Sequence, residues 1–342
     1  MQLALGMGYW SSGPPADAAE QIATAERLEF DSIWTAEAYG SDALTPLAWW
    51  GAATERIGLG TSICQISART PAAVAMAAMT MDHLSGGRFR LGLGASGPQV
   101  VEGWYGQPYP KPLARTREYV EIVRRIFARD EPVSFDGEHY QLPYPGGTGL
   151  GKPLKSTIHP LRTDIPIYLG AEGPKNVAMT AEIADGWLPL FFSPADNDFY
   201  HEALSEGFAR PGARRGFDDF DVAAVVPVVI DDDVEAAADM IRPMLALYAG
   251  GMGAKEANFH LNVFARMGFA DACASIQDHY LNGDKKAAIA AVPTQMVEAV
   301  ALVGPPAKIA DDLAAWDESV VNTLVVSGPP PLLEGIAAIV QG

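Results

Sequence analysis

The chain has 342 residues, 49% of them hydrophobic and 19% charged, with a formal net charge of −18. That apolar content supports a sizeable packed core and excludes a disordered chain, and the acidic balance argues against a nucleic-acid backbone or an anionic membrane as main partner. The two cysteines cannot form a disulfide scaffold or a four-cysteine zinc site.

In chain order, residues 3–8 form a short apolar run ending in glycine, read as a buried strand, and 16–28 show helical spacing with strong helix formers. Residues 32–36 read as a strand, 45–54 as a helix, 57–63 as a strand and 71–84 as a helix. The turn Ser85-Gly86-Gly87 leads into a fourth strand at 89–94. Strands alternating with helices, without hairpin turns, imply a parallel sheet with helices outside it. The rhythm then breaks. Residues 115–129 form an amphipathic helix, 133–142 read as a hairpin around Asp136-Gly137, and 143–160 are rich in Pro and Gly, as expected of a surface or lid loop. It resumes with a strand at 165–170, a helix at 175–184 and strands at 186–190 and 222–230. A helix at 234–247, a mainly helical stretch at 256–282, a helix at 306–315 and a last strand at 323–327 complete the pattern.

Eight strands alternating with helices predict an α/β (β/α)8 TIM barrel as a single domain over residues 1–342, with insertions at about 130–162 and 250–290. A doubly wound sheet is the competing arrangement. No window approaches the about 18 apolar residues of a membrane span, and the N-terminus has no basic leader, so a soluble cytoplasmic protein is expected. The six histidines lack ligand spacing, and no metal site is expected. Gly92, Gly94 and Gly97 spell G-x-G-x-x-G, the dinucleotide fingerprint, which requires a helix to open at the glycines. Pro98 follows at once and the next helix is read near Arg115, so the fingerprint is rejected. Glycines at the exit of a barrel strand instead let backbone approach a ligand closely. A second cluster, Gly170-Ala171-Glu172-Gly173-Pro174-Lys175, lies between a strand and a helix, where free N–H groups and Lys175 suit an anion.

Several segments carry a resemblance: FDSIWTAEAYGSDAL, RIGLGTSI, SGGRFRLGLGASG, PIYLGAEGPKNVAMTAEIADGW and ALVGPPAKIADDLAAW. In this order the chain resembles the luciferase-like monooxygenase superfamily, and within it the coenzyme F420-dependent oxidoreductases that include methylenetetrahydromethanopterin reductase. The resemblance implies a deazaflavin ring at the C-terminal ends of the strands. It implies a non-prolyl cis peptide at Ser62–Ile63 backing that ring, and Ala95, Ser96 and Gly97 lying along it. Gly170, Ala171, Gly173, Pro174 and Lys175 then match the segment near the cofactor phosphate, and Asp185-Gly186-Trp187 a family motif entering the sixth strand. Glu37 matches an acidic residue that contacts the deazaflavin and is the candidate catalytic residue. Ala38 stands where several relatives have a histidine, which favours a reductase over an alcohol dehydrogenase needing a base there.

Tyr39, Gln65, Trp104, Tyr105 and Trp187 are the candidate lining of the substrate pocket, and Cys64 reads as a buried small hydrophobe. Arg88 and Arg90, at the start of the fourth strand, read as structural. The function expected is hydride transfer between C5 of coenzyme F420 and a small organic substrate, by a homodimer. The alternatives are an FMN-dependent monooxygenase and a flavin or deazaflavin carrier without chemistry.

Overall fold

The computed structural model describes residues 1–10, 12–252 and 258–342. Eight parallel strands among these close into a barrel: β1 (Gln2–Gly6), β2 (Ser32–Thr35), β3 (Gly58–Thr61), β4 (Phe89–Gly94), β5 (Ile167–Gly170), β6 (Gly186–Leu188), β7 (Asp221–Val225) and β8 (Thr323–Val326). Each strand pairs with the next and β8 returns to β1, with Leu3 opposite Leu324. The doubly wound alternative is thereby excluded. The strand read at 222–230 divides in two: after β7, Val228–Ile230 leaves the barrel and pairs with Leu302–Gly304.

The barrel interior is filled by side chains of unequal size. Trp34 and Tyr168 meet edge to face at 5.1 Å, with Ala4, Leu188, Ala223 and Val325 around them. Their bulk is accommodated by glycines one strand away. A Cβ on Gly60 would stand 2.4 Å from the Trp34 ring, and one on Gly186 would stand 2.3 Å from that of Tyr168. Outside the strands, helices such as Pro71–Leu84 and Pro112–Ala128 pack their apolar faces on the barrel to form the main core.

β3 ends abruptly. The Ser62–Ile63 peptide is cis, and the chain re-enters the sheet only at Cys64–Gln65, which pairs with Leu93 and Gly94 of β4. Between these points the Thr61 hydroxyl donates to the Gly92 carbonyl and accepts the Gly92 N–H, each at 2.9 Å. A side chain thus replaces ladder bonds and keeps the barrel closed across the bulge.

The expected insertions take different paths. Phe135–Asp136 and Gln141–Leu142 form the hairpin, held to the helix Pro112–Ala128 by Glu118, whose carboxylate accepts three backbone N–H groups of the turn. The following stretch is irregular, as read, but it is not a lid. Arg162 pairs with Asp82 and donates to the Phe89 carbonyl, and His83 bonds to the His159 carbonyl, so this stretch runs to the N-terminal end of the barrel. The second insertion is helical at Phe259–Phe264, Ala265–Phe269 and Ala270–Leu281 and builds its own apolar cluster with Val234–Ala246. Residues 256 and 257 of the predicted helical stretch lie outside the described residues.

Candidate functional site at the barrel mouth

The candidate site residues, apart from the interior Trp187, stand at the C-terminal ends of the strands. At the exit of β3, half-buried Ile63 packs between the ends of β4 and β5: a Cβ on Gly94 would lie 2.8 Å from its Cδ1, and one on Gly170 3.4 Å from its Cγ2. Both strands end in glycine here, which leaves the Ile63 side chain room beside the bulge.

Ala95, Ser96 and Gly97 follow β4, with Ser96 in the left-handed region at φ 59°. The Ser96 carbonyl accepts from the Tyr109 hydroxyl at 2.8 Å, and the Gly97 carbonyl from the N–H groups of Val100 and Val101. With these carbonyls engaged, the free N–H groups are what the loop has to offer. Gly97 also caps a short helix, Pro98–Gly103, so the glycines do open a helix, contrary to the sequence expectation. Pro98 sits at its first position, where a missing N–H costs nothing. The dinucleotide fingerprint fails for a different reason: the sheet is a closed barrel.

The second glycine cluster starts the helix Pro174–Ile183, with Gly173 as its cap and Pro174 in the first turn. The Lys175 ammonium is exposed and makes no ion pair among the described residues, and a Cβ on Gly173 would meet nothing within 4 Å. An unpaired cation over an open helix start is an anion-binding arrangement.

Glu37, after β2, is buried at 5% exposure. Its Oε2 accepts the Arg69 guanidinium at 2.7 Å and the Gln65 backbone N–H at 2.9 Å. The hydrogen bond to Glu37 raises the Arg69 pKa further above its ordinary value. The carboxylate therefore braces the segment after the bulge, with its negative charge neutralised by a partner the sequence reading did not find. Gln65 is corrected as a pocket residue. Its amide turns inward, Nε2 donating to the Glu37 carbonyl at 3.1 Å, and its Oε1 is buried without a partner. Burial, reinforced by the charge of Glu37, pushes the Cys64 thiol up to about 12, which keeps it an unreactive hydrophobe.

Tyr39 and Trp104 are exposed with ring centroids 6.5 Å apart, and the Tyr105 hydroxyl donates to the Ala38 carbonyl at 3.1 Å. These three rim the mouth beside Glu37. Trp187 does not. It is fully buried, its indole N–H donating to the Ala171 carbonyl at 2.8 Å and its ring packing on Tyr200 at 4.9 Å. It supports the β5 exit from below, and is corrected as a pocket residue.

Two residues missed by the sequence reading complete the rim. Glu172 lies after β5, and His260, on the inserted helix Phe259–Phe264, brings Nδ1 to 2.6 Å from Glu172 Oε1. Tyr248 packs edge-on against His260 at 4.9 Å and shares a hydrogen bond with Tyr9, which follows β1. Burial raises the pKa of both phenols. No spacing rule links positions 172 and 260; the fold alone brings them together. Among the described residues no cluster of ligands could hold a metal ion.

The family model described as luciferase-like monooxygenase matches residues 3–323. The chain belongs to the luciferase-like monooxygenase family. It is 55% identical to a Mycobacterium tuberculosis protein named "Putative coenzyme F420-dependent oxidoreductase", with 99% of each chain covered. It is 30% identical to the 5,10-methylenetetrahydromethanopterin reductase of Archaeoglobus fulgidus, over 90% of this chain and 88% of that one. Among solved structures, the coenzyme F420-dependent tetrahydromethanopterin reductase of Methanopyrus kandleri superposes with a TM-score of 0.82 at 24% identity, covering 98% of both chains. The luciferase-like barrel is thus common to sequence and structure relatives.

Proposed function

We propose that this member of the family is a coenzyme F420-dependent oxidoreductase that reduces a small organic substrate. The observation carrying this reading is the pairing of two features at one mouth: an apolar bulge at Ile63, and the open helix start with unpaired Lys175. They fit a group with a planar apolar ring and an anionic tail. The relative at 55% identity supports the same reading. When bound, the deazaflavin supplies two electrons as a hydride at C5.

The residues of this chain supply position and surroundings. Ser62 and Ile63 would back the ring, the N–H groups of Ala95, Ser96 and Gly97 would line its edge, and Gly170 and Ala171 would shape the floor toward the tail. Gly173, Pro174 and Lys175 would hold the phosphate through backbone N–H groups and one ammonium. Glu37, bound to Arg69, would fix the backbone after the bulge, and Tyr39, Trp104 and Tyr105 would border the substrate and exclude water. The reductive direction is favoured by the alanine at position 38 and by the engagement of Glu37 with Arg69.

Fluorescence titration with coenzyme F420 and with FMN tests the assignment. Binding of F420 with weak or no binding of FMN is expected; tight FMN binding without F420 binding would overturn it. Lys175→Ala should weaken F420 binding about tenfold, the loss of roughly one charge-assisted contact. An unchanged affinity would remove Lys175 from the phosphate site.

We also propose a homodimer, supported by Trp49, Met76 and Leu84, which are exposed on the outer helices Leu44–Gly51 and Pro71–Leu84. A monomeric mass by light scattering would rule it out.

A further inference from the structure

Glu172 and His260 form a pair for which neither the hydride chemistry nor the fold gives a reason. Their side chains are 18% and 24% exposed, and the 2.6 Å Nδ1–Oε1 contact has ion-pair distance without hydrogen-bond alignment. Glu172 Oε2 and His260 Nδ1 are both buried without a hydrogen-bond partner, and Nε2 has none among the described residues. A buried carboxylate oxygen left open is costly unless the site uses it. The imidazole packs against a joined pair of rings, Phe191 at 5.9 Å and Tyr248 at 4.9 Å, each edge-on. Its helix is fixed in turn. Asn258 caps it by accepting from the Leu261 N–H, and its amide donates to the carbonyls of Tyr248 and Ala249, each at 2.9 Å.

We propose that His260 is the proton donor to the substrate, and that Glu172 is the positioning residue that orients its imidazole. This rests on the oxidoreductase reading above and deepens it. Reduction of a C=O, C=N or conjugated C=C bond breaks the π bond. The carbon gains two electrons as hydride from the reduced deazaflavin, and the other atom of the π system takes one proton. That proton leaves His260 Nε2, the imidazole becomes neutral, and water reprotonates it. The substrate class is accordingly a small molecule with a polarised double bond whose acceptor atom needs a proton.

Facing the imidazole, Glu172 comes from the β5 exit, and Tyr248 from the turn after Val234–Ala246. Tyr9 from the β1 exit and Tyr39 from the β2 exit reach it through Tyr248. Arg266, bonded to the Tyr200 hydroxyl at 2.6 Å and 3.6 Å from Asp196, stands behind Glu172. Glu172 is the charged group in direct contact with the imidazole. Glu172→Gln, which removes the contact on Nδ1, should lower kcat with KM little changed.

The test combines binding, NMR and single-turnover reduction of three probes, 2-cyclohexenone, acetone and a cyclic imine, by protein loaded with reduced F420. His260→Gln should lower the reduction rate about 10²–10⁴-fold, the range of general acid catalysis, with KM and F420 affinity changed less than threefold. Imidazole added to His260→Ala should restore part of the rate. The 15N resonances of the His260 ring should shift in Glu172→Gln, whether or not cofactor is present. The proposal would be overturned by a His260→Gln variant with wild-type rate. It would equally be overturned by a ring whose 15N resonances ignore Glu172→Gln, or by loaded wild-type protein that turns over none of the three probes. Failure to bind F420 at all would instead remove the cofactor reading, with the NMR comparison still judging the pair.

Discussion

The Glu37 carboxylate gathers one guanidinium and one backbone N–H onto a single oxygen, in a pocket with little water. Replacing it with glutamine keeps the shape and removes the charge, which leaves Arg69, only 21% exposed, with Asp42 at 3.8 Å as its remaining anionic neighbour. A charge-assisted bond of this kind contributes about 1.5–3 kcal/mol, and Asp42 offsets part of the loss. Glu37→Gln is therefore expected to destabilise the fold by about 2 kcal/mol in denaturant unfolding and to lower kcat/KM through displacement of the segment after the bulge. Rescue of stability without rescue of activity by a second-site change would show that the charge itself takes part in the chemistry. A second residue-scale expectation concerns Gly186. Its missing Cβ is occupied by the Tyr168 ring at 2.3 Å and by the Asp221 carbonyl at 2.8 Å, and neither can retreat inside a closed barrel. Gly186→Ala should cost about 1–3 kcal/mol or more by overpacking, read as an earlier unfolding midpoint with unchanged slope.

At the scale of elements, the helix Phe259–Phe264 is too short to hold itself, and Asn258 ties it to the turn before it. Asn258→Ala removes one cap bond and two carbonyl contacts and should cost about 1–2 kcal/mol, confined to this insertion. Hydrogen exchange should quicken at Leu261–Phe264 while the barrel strands keep their protection; uniform loosening would contradict the local role. The same insertion marks the limit of what the sequence discloses. The eight strands are legible because parallel strands are buried on both faces and read as short continuous apolar runs. The Ser62–Ile63 bulge and the anion-ready helix start were legible from segment resemblance and from the Gly-Pro-Lys order. The Pro98–Gly103 helix is hidden in the sequence because proline reads as a breaker, although it suits a first turn. Arg69 and His260 were missed for another reason: each meets its carboxylate only through tertiary folding, and no local spacing encodes such a contact. Trp187 and Gln65 were placed at the right strand ends but on the wrong side, because the kinked exit of β3 and the short β6 turn them inward.

Across the whole molecule the two ends of the barrel differ in how polar groups are satisfied. At the N-terminal end, Arg88 bonds to Thr54, Ile57 and Ser85, Arg90 pairs with Asp31, and Arg162 with Asp82. At the mouth, buried atoms of Gln65, Glu172, Asp196, His260 and Arg266 are left without hydrogen bonds. Most of the unspent polarity thus lies at the mouth, with Arg124 Nε and His139 Nε2 the exceptions away from it. Asp185 is the strongest tie of the stable end. Its carboxylate accepts the Ile167 N–H of β5 at 2.8 Å, Arg124 from the helix Pro112–Ala128 at 2.5 Å and Arg215 from the segment before β7 at 3.0 Å. Burial alone would raise its pKa, but Arg124, the Ile167 N–H and Arg214 outweigh it and hold the value below the ordinary 3.8. A carboxyl lowered in the folded state stabilises the fold fully above its unfolded value, and that stabilisation is lost as pH falls through the folded one. Asp185→Asn should therefore cost about 2–3 kcal/mol at neutral pH, where it strands Arg124 at 16% exposure beside β5. The gap between wild type and variant should stay constant above about pH 5 and narrow steadily below the carboxyl's ordinary value. Urea midpoints measured for both proteins from pH 7 to pH 3 decide the matter: a gap that widens on acidification, or that is absent at neutral pH, would show that the β5–β6–β7 seam is held by packing and not by this charge.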